Sequence, residues 1–449
     1  MSGKGAQSDR SETRHNARAL LKTSKIVCMA PWVHAHLSSL GDFTPCCEIF
    51  EPLGPSDGAT LVSHWNSDAM ASLRTAMLGD TPLEVCRKCY DKEAAGVWSR
   101  RQQFNKRFRN ESDRLSATGS DGTLPDSIQP IDLDLRFSNL CNFRCRSCWH
   151  GASSRWFSDA VALGLTKGES AVITAGADRE KTFTQVIEQL SVVRSIYFAG
   201  GEPLLMEEHY ALLEQLVRIG RTDVRLSYNT NLSELRLGNR RVTDLWREFE
   251  HVRVGASADG MGAVGELVRK GIKWTSFEEN LRTVRESCPH VQLSMAITVS
   301  VLNLFHIPEF YSHAHRALGF DHDSIYLNPL QEPHHYNIQI LPRPMKRSAA
   351  VALTELAHSL PENRPSLESA ESGRRGGKAA VLDLVDYMRA RDDPQYIPSF
   401  IKITDRLDAL RDEDTFATIP ELASMRTAAK RMRTPWARAT AAIGRLMGR

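Results

Sequence analysis

The chain has 449 residues, of which 41% are hydrophobic and 25% are charged, and its formal net charge is +3. This length predicts two or three domains, and the near-neutral charge gives no reason to expect a nucleic-acid partner. No apolar run reaches the roughly 18–20 residues of a membrane span, and residues 1–25 lack the apolar centre of a secretion signal. Nine cysteines, an odd number at metal-binding spacings, indicate a reducing compartment, so we expect a cytoplasmic protein.

Residues 1–25 are polar and basic, and we expect a flexible arm there. Residues 26–104 follow as a compact cysteine-rich module, in which residues 65–78 have apolar side chains at helical spacing. Four thiolates can be drawn from the five cysteines of this module, which are Cys28, Cys46, Cys47, Cys86 and Cys89. A zinc ion and a four-iron cluster both accept four thiolates, and the residues alone do not choose between them.

Residues 105–129 are rich in turn-forming residues and predict a linker. Residues 131–137 then alternate apolar and polar side chains, which predicts a strand, and they lead into Cys141-Asn-Phe-Arg-Cys145-Arg-Ser-Cys148. Three thiolates favour an iron–sulfur cluster over zinc, because structural zinc needs four ligands and the local candidate, His150, is poorly placed. A four-iron cluster on three cysteines keeps one iron open, as a reactive metal site requires.

Strands are also predicted at residues 194–199, 224–231, 251–256, 291–299 and 324–327, and helices separate them. This alternation predicts an α/β fold with a parallel sheet. The C-terminal ends of the strands are where α/β barrels place their chemistry, and the cysteine loop follows one of them. Further candidate residues at or after strand ends are Gly200, Gly201, Glu202, Pro203, Asn229, Ser257, Asp259 and Arg269.

The cysteine triple followed by the Gly-Gly-Glu-Pro turn resembles the radical S-adenosylmethionine (SAM) superfamily. The resemblance implies a partial (β/α)6 TIM-like barrel over residues 130–344. It implies a [4Fe–4S] cluster on Cys141, Cys145 and Cys148, the catalytic residues, with SAM on the open iron. The reduced cluster would cleave SAM to a 5'-deoxyadenosyl radical, which abstracts hydrogen from an unactivated carbon.

The resemblance also implies contacts with SAM. Gly200 to Pro203 would bind its amino group, with Glu202 as the charge partner. Arg269 would pair with its carboxylate, for which a guanidinium is well suited. Asn229 is similar to a strand-end asparagine near the ribose or carboxylate, and Ser257 and Asp259 match an S-x-D-G motif. The family usually has a bulky residue where this chain has Ser147, so the adenine contact is expected from Phe143 or Trp149.

The N-terminal module resembles the twitch or SPASM domain, through Cys28-x12-Gly41-x4-Cys46 and the later C-x2-C motif. This implies a second, auxiliary [4Fe–4S] cluster on Cys28, Cys46, Cys86 and Cys89, with Cys47 as a neighbour. Such a module usually follows the barrel, whereas here it precedes it. A closed four-cysteine cluster leaves no open iron for a substrate, so electron transfer is the expected role, and a purely structural role is the alternative.

Residues 345–449 predict a helical C-terminal extension with a basic amphipathic tail, and residues 328–336 place polar and aromatic groups where a barrel mouth would lie. The first functional hypothesis is modification of a peptide or protein side chain. The second is radical dehydrogenation or epimerisation of a small molecule such as a sugar or aminocyclitol. The third is a non-enzymatic redox protein. An enzyme of this kind needs an electron donor such as flavodoxin or ferredoxin. A separate recognition protein is also conceivable, since the N-terminal arm is too short for a recognition domain.

Overall fold

The computed structural model describes residues 18–49, 53, 61–94, 96, 98–168, 170–174, 179–363 and 375–432. Most of the predicted arm and the basic tail from residue 434 onward lie outside the described residues. The described strands are β1 (His34–Leu37), β2 (Phe43–Thr44), β3 (Asp132–Leu135), β4 (Ser195–Phe198), β5 (Arg225–Thr230), β6 (Arg236–Leu237), β7 (Arg240–Arg241), β8 (Val252–Ser257), β9 (Gln292–Val299) and β10 (Ile325–Pro329).

The six strands predicted from the sequence pair in parallel in the order β10-β9-β8-β5-β4-β3, which confirms the α/β fold with a parallel sheet. The N-terminal module adds two strands to the same sheet. Strand β1 pairs in parallel with β3, from His34 opposite Asp132 to Leu37 opposite Leu135, and β2 pairs antiparallel with β1 at the edge. The eight-stranded sheet is open, with β10 and β2 as its edges.

Helices cover the sheet, as parallel strands require for burial. Residues 18–23 are helical. The labelled helices are α1 (Ala30–Val33), α2 (Leu61–Trp65), α3 (Asp68–Leu78), α4 (Arg87–Ala94), α5 (Arg100–Arg107), α6 (Asp113–Ser116), α7 (Phe157–Ala162), α8 (Arg179–Gln189), α9 (Glu207–Arg218), α10 (Val242–Trp246), α11 (Gly262–Val268), α12 (Trp274–Ser287), α13 (Ile307–Arg316), α14 (Arg343–Ser359), α15 (Gly377–Arg389), α16 (Ile397–Arg411), α17 (Thr415–Thr418) and α18 (Ala423–Met432).

The N-terminal module has a small core of its own, built around Trp32 and Trp65. The prediction of a linker at residues 105–129 was wrong, because Leu115 and Leu124 are buried in this core. The buried Arg74 holds the segment in place, since its guanidinium donates to backbone carbonyls that include that of Gly122. The turn-forming residues in this stretch therefore lie between buried apolar side chains, and the stretch is part of the module and not a linker.

Helix α5 carries the module onto the inner face of the sheet. A capping box begins the helix, in which the hydroxyl of Ser99 accepts from the backbone N–H of Gln102 and the side chain of Gln102 accepts from the N–H of Ser99. At the other end, Nη2 of Arg107 donates to Oδ1 of Asp132 over 2.8 Å, and Phe104 lies 4.8 Å from the ring of His34. The module and the barrel are thus joined by both a strand and a helix.

The C-terminal extension packs on the far edge of the sheet. Helix α15 lies against β10 and α14, and Leu353, Leu384 and Phe400 belong to the same hydrophobic core as the strands. Helix α18 packs against α16. Within the described ranges, no helix combines the length and the apolar composition needed to cross a membrane.

Candidate functional site

The cysteine triple lies on the loop that follows β3, at the C-terminal edge of the sheet. Burial, together with the neighbouring Cys145, raises the pKa of Cys141 and of Cys148 to about 12. The three thiols are therefore close enough to affect one another electrostatically. They are neutral in the metal-free protein at neutral pH, and a bound metal has to displace their protons.

The Gly200-Gly201 turn packs directly against the strand and loop that lead to Cys141. The backbone N–H of Glu202 donates to the carbonyl of Leu140 over 2.7 Å. Both glycines have positive φ angles, +76° and +47°, and a Cβ on Gly201 would lie 2.2 Å from that same carbonyl oxygen. Glycine is therefore required here both for backbone conformation and for close approach.

Glu202 is buried, and its carboxylate accepts hydrogen bonds from other groups of the protein. Its Oε1 accepts from the hydroxyl of Thr230 over 2.6 Å and from the N–H of Leu204, and its Oε2 accepts from the N–H of Asn231 over 2.6 Å. Burial raises its pKa to about 7. Glu202 therefore ties the glycine turn to the end of β5, with both oxygens occupied. A contact with the amino group of SAM, as expected from the sequence, would be an additional bond to this carboxylate, which can accept about four.

The asparagine that reaches the cysteine loop is Asn231, which the sequence prediction passed over in favour of Asn229. The amide of Asn231 donates to Oδ1 of Asn142 over 2.9 Å, and Asn142 donates to the hydroxyl of Ser233. Asn229 instead lies within β5 opposite Gly255 and lines a cavity against the inner face of the sheet. Asn229 lies in β5 and Asn231 directly follows its last residue, two positions further on, so periodicity alone could not separate them.

Arg269 lies beside the cysteine loop. The backbone N–H groups of Arg144 and Arg146 donate to the carbonyls of Lys270 and Val268, both over 2.8 Å. This pairing places the charge of Arg269 near the thiols of Cys145 and Cys148. The guanidinium is already paired with the buried Asp259, with 2.8 Å between Nε and Oδ2.

Asp259 follows β8, the strand that ends at Ser257, and it also accepts from the N–H of Thr298 over 2.8 Å. These contacts fix Asp259 at the strand ends, and it in turn holds Arg269 there.

The two aromatic candidates for an adenine contact differ in accessibility. Phe143 is 2% exposed and packs in the hydrophobic core, so it offers no surface to a ligand in this arrangement. Trp149 is 55% exposed, and its ring edge lies against Gly151. Of the two residues, Trp149 is the one that remains open to a ligand.

The auxiliary cysteines surround a second, smaller cavity. A space of about 30 Å³ is lined by Cys28, Cys46, Cys86 and Cys89. Burial raises the pKa of Cys86 to about 11 and raises those of the other three thiols. Cys47 is absent from this lining, and its Sγ accepts from Nη2 of Arg100 over 3.3 Å. The donor set matches the four residues that the resemblance implied.

In the part of the chain that the structure describes, no three His, Cys, Asp or Glu side chains form a group that could hold a single metal ion. A cubane cluster places a different iron under each thiolate, so its ligands do not converge on one point as those of zinc do. The two cysteine sets supply three and four thiolates, which are the donors that iron–sulfur clusters take.

A cavity of about 270 Å³ lies against the inner face of the sheet and extends to residues at or before the N-terminal ends of the strands, such as Arg225, His251 and Gln292. Its lining includes the inward-facing residues Asp132, Asp134, Ser195, Tyr197, Ser227, Asn229 and Ser294, together with Arg100, Gln103, Phe104 and Arg107 of α5. Sequence reasoning missed these residues as a site. The signal was present in the alternation of Asp132 and Asp134 with apolar neighbours, because every second residue of a strand faces the same side.

Residues 328–336, expected near a barrel mouth, lie partly elsewhere. Tyr336 is buried beside Arg146. Gln331, Glu332 and His334 line a separate groove of about 530 Å³, whose other wall includes Arg87, Lys88, Asp91 and Lys92 of α4. This segment therefore joins the C-terminal extension to the auxiliary module, outside the inner cavity.

Comparison with known proteins matches two parts of the chain. The model of the radical SAM superfamily matches residues 135–309, and that of the iron–sulfur cluster-binding domain SPASM matches residues 28–90. Such domains bind, respectively, a [4Fe–4S] cluster with SAM and auxiliary iron–sulfur clusters.

Solved structures that match part of this chain include native anSMEcpe with bound AdoMet and Cp18Cys peptide. It is 17% identical over 51% of this chain and 58% of that one, with a TM-score of 0.35. Streptococcus suis SuiB bound to S-adenosylmethionine is 13% identical over 60% of this chain and 58% of that one, with a TM-score of 0.34. This chain thus spans less than two thirds of the length of either protein.

The TM-scores lie below 0.5, so the assignment rests on the two family matches and on the arrangement of the cysteines. The matched segments coincide with the two cysteine sets, and the glycine turn and Arg269 are packed against the first of them. The chain therefore contains a segment, residues 135–309, that matches the radical SAM superfamily, and a SPASM iron–sulfur segment, residues 28–90, precedes it.

Proposed function

We propose that this enzyme abstracts a hydrogen atom from a side chain of a peptide or protein that enters the inner cavity. The observation that carries the proposal is the position of that cavity next to the auxiliary cysteines. Arg100 and Phe104 line both the inner cavity and the space between Cys28, Cys46, Cys86 and Cys89. One layer of side chains therefore separates a bound substrate from the auxiliary site.

In this proposal Cys141, Cys145 and Cys148 hold the SAM-binding cluster, and Cys28, Cys46, Cys86 and Cys89 hold the auxiliary one. The backbone of Gly200 and Gly201 approaches the amino group of SAM, and Arg269 approaches its carboxylate. When bound, the cluster and SAM supply a 5'-deoxyadenosyl radical that removes hydrogen from the substrate. Asp259 and Glu202 hold the SAM-contacting segments in place through the contacts described above.

The protein's own polar groups orient the substrate. Asp132 is fixed by Nδ1 of His34 at 2.6 Å, by Arg107 at 2.8 Å and by the hydroxyl of Ser195. Asp134 is paired with Arg136, whose Cβ lies under Gly200. These rigid polar groups suit a substrate that carries hydrogen-bonding groups near the reacting carbon.

The removal of hydrogen leaves an electron to be passed on. Radical oxidation of a substrate by two electrons needs an acceptor, and the auxiliary site beyond Arg100 and Phe104 is placed for that role. An external donor such as flavodoxin or ferredoxin must reduce the SAM-binding cluster. We place the enzyme in the reducing cytoplasm, because the thiolates of both clusters would be lost in an oxidising compartment.

A peptide substrate is favoured by the groove between α4 and the C-terminal extension. Its volume of about 530 Å³ exceeds that of the inner cavity, and its walls combine charged and amide side chains such as Lys88, Asp91, Gln331 and Gln339. Groups of this kind bind main-chain amides and flanking side chains. A separate recognition protein is a further possible partner at this surface.

The small inner cavity also supports a second candidate, a sugar or aminocyclitol that is dehydrogenated or epimerised. A volume of about 270 Å³ accommodates either one side chain or one small polar molecule. The two candidates differ in what must lie in the larger groove, which a small molecule would leave empty.

Deuterium transfer to 5'-deoxyadenosine tests both candidates. Anaerobically reconstituted enzyme with dithionite and SAM is incubated with a deuterated cell-derived peptide pool, or with deuterated sugars and aminocyclitols. Mass spectrometry then detects 5'-deoxyadenosine that is heavier by one mass unit. Labelling from the peptides alone supports the peptide proposal, labelling from the small molecules alone supports the second candidate, and no cleavage of SAM at all contradicts both.

A further inference from the structure

One residue of the C-terminal extension joins two segments of the candidate SAM site. Glu413 lies between α16 and α17. Its Oε2 accepts from Nη2 of Arg146 over 2.5 Å, and its Oε1 lies 2.7 Å from Nζ of Lys270. Arg146 lies between Cys145 and Cys148, and Lys270 follows Arg269 directly. A single carboxylate therefore contacts both the cysteine loop and the arginine segment.

The same two segments are already paired through their backbones. The N–H of Arg146 donates to the carbonyl of Val268, and the N–H of Arg144 donates to that of Lys270. Glu413 adds a side-chain connection between the same two segments, through Arg146 and Lys270. Arg269 lies inside it, where it contacts Asp259 and faces the cysteines. The position of Arg269 relative to Cys145 is thus set by three separate connections.

The contact between Glu413 and Arg146 is shielded from water, which strengthens it. The side chains of Arg146 and Glu413 are 0% and 8% exposed. Asp408 of α16 also accepts from Arg146, and it accepts from the N–H of Thr415 over 3.0 Å. Removing one partner from a buried charged hydrogen bond leaves the other charge uncompensated, which costs more than loss of a surface pair.

A second connection binds the extension to the other side of the cysteine loop. Arg411 donates through Nε and Nη2 to Oδ2 of Asp159, over 3.0 and 2.8 Å, and Arg144 donates to Oδ1 of the same carboxylate over 3.2 Å. Leu407 packs with Trp156 in an apolar cluster against which Cys148 lies. The extension therefore contacts the cysteine loop on two sides, in addition to packing against the barrel.

We propose that Glu413 is a positioning residue for SAM. By holding Arg146 and Lys270 together, it fixes the spacing between the cysteine loop and Arg269, so that one SAM carboxylate reaches both. This inference rests on the proposed roles of the cysteine triple and Arg269. It gives the C-terminal extension a part in cofactor binding, because preorganised contacts reduce the free-energy cost of ordering the site when SAM binds.

The test measures SAM binding and not turnover alone. Glu413→Gln keeps the shape of the side chain and removes its charge. We expect unchanged iron and sulfide content, a SAM dissociation constant raised by about tenfold or more, equivalent to about 1.4 kcal/mol, and a weaker SAM-induced change in the EPR spectrum of the reduced cluster. Asp405→Asn is the matched control, since Asp405 forms an exposed ion pair with Arg426 on the same extension. Its SAM affinity should equal that of the wild type.

A double-mutant cycle shows whether Glu413 acts through Lys270. Lys270→Met leaves the contact between Arg146 and Glu413 intact, so it keeps the test informative even if Glu413→Gln loses its cluster. We expect Lys270→Met to weaken SAM binding, and the double variant to weaken it less than the sum of the two changes. Wild-type SAM affinity in both single variants would overturn the proposal.

Arg269→Met distinguishes failure of the positioning role of Glu413 from failure of the proposed SAM site. If Arg269→Met weakens SAM binding while Glu413→Gln and Lys270→Met do not, the positioning role is wrong and the proposed SAM site stands. If Arg269→Met itself leaves SAM affinity unchanged, the proposed SAM site is wrong, and the role of Glu413 falls with it.

Discussion

Arg100 donates to the sulfur of Cys47 over 3.3 Å, and this contact turns Cys47 away from the space that its neighbour Cys46 lines. Two adjacent cysteines therefore point to different parts of the protein. The four sulfur-bearing residues around the smaller cavity include Cys46, whereas Cys47 lies with Arg100 on the side of Asp134 and Tyr197. The wall between the auxiliary site and the inner cavity thus consists of α5 side chains.

This orientation predicts which cysteine holds the auxiliary cluster. Cys46→Ala should reduce the iron content from about eight to about four atoms per chain, because the auxiliary cluster would lose one of the four thiolates that enclose it. Cys47→Ala should retain about eight. Iron and sulfide analysis of anaerobically reconstituted protein, together with EPR, measures both. Loss of four irons in Cys47→Ala with full content in Cys46→Ala would reverse the assignment.

The cysteine triple should be indispensable for cleavage of SAM. Cys145→Ala removes one of three thiolates and should abolish release of 5'-deoxyadenosine in the presence of dithionite. The control is Cys288→Ala, which removes a buried thiol whose contact is the carbonyl of Thr243, away from both cysteine sets. It should cleave SAM at the wild-type rate. Cys86→Ala should lose the auxiliary cluster and retain SAM cleavage that is uncoupled from substrate. Wild-type cleavage by Cys145→Ala would contradict the assignment.

The glycine turn should tolerate no side chain at its second position. Gly201→Ala places a Cβ 2.2 Å from the carbonyl oxygen of Leu140 and should displace the loop that leads to Cys141. We expect SAM affinity to fall at least about tenfold, or about 1.4 kcal/mol, as measured by equilibrium binding.

Gly220 provides a matched control for this change. It also has a positive φ angle, +72°, but its Cβ position is open. Gly220→Ala should therefore cost only the conformational term of about 1–2 kcal/mol of folding free energy and leave SAM affinity unchanged. Equal losses of affinity in the two variants would show that local strain, and not contact with Leu140, is the cause.

Buried histidines should make folding stability depend on pH. Burial lowers the pKa of His209 to about 3, and its Nε2 contacts the hydroxyl of Tyr228 at 3.1 Å. The pKa of His209 in the folded protein lies below the unfolded value of about 6.5. Its contribution to folding stability is therefore fully present above about pH 6.5 and is lost as the pH falls below that value. At pH 5.5 the loss is about 1.4 kcal/mol.

Urea unfolding at pH 7.5 and pH 5.5 measures this effect. His209→Gln should have a smaller loss of unfolding free energy between these two pH values than the wild type. Burial also lowers the pKa of His36 to about 3 and that of His64 to about 4, so part of the dependence should remain in the variant. An identical pH dependence in variant and wild type would show that His209 is not held neutral by the fold.

Local sequence patterns predicted the six parallel strands, and they did so because each pattern reflects a short-range requirement. The segment predicted at 224–231 became β5 at Arg225–Thr230, and that predicted at 291–299 became β9 at Gln292–Val299. Strand periodicity needs only the side chains of one segment. The tight glycine turn and the C-x3-C-x2-C spacing are likewise local, which is why they revealed the cofactor chemistry.

The errors have a common physical origin in contacts between distant segments. Residues 105–129 were expected to be a linker because their composition favours turns, but Leu115 and Leu124 enter the core of the N-terminal module. Motif position likewise did not reveal that the end of β5 donates to both oxygens of Glu202, the residue expected to contact SAM. Composition and motif position do not report which distant backbone group satisfies a buried carboxylate.

By itself the sequence determined the α/β class, the two cysteine sets and the order of the motifs along the chain, because these depend on residue type and short spacing. The tertiary structure decided that β1 joins the barrel sheet, that Cys46 lines the auxiliary cavity whereas Cys47 contacts Arg100, and that Glu413 contacts the cysteine loop from more than 260 positions away. These contacts depend on packing between distant segments, because buried polar and charged groups need hydrogen-bond partners in the folded protein.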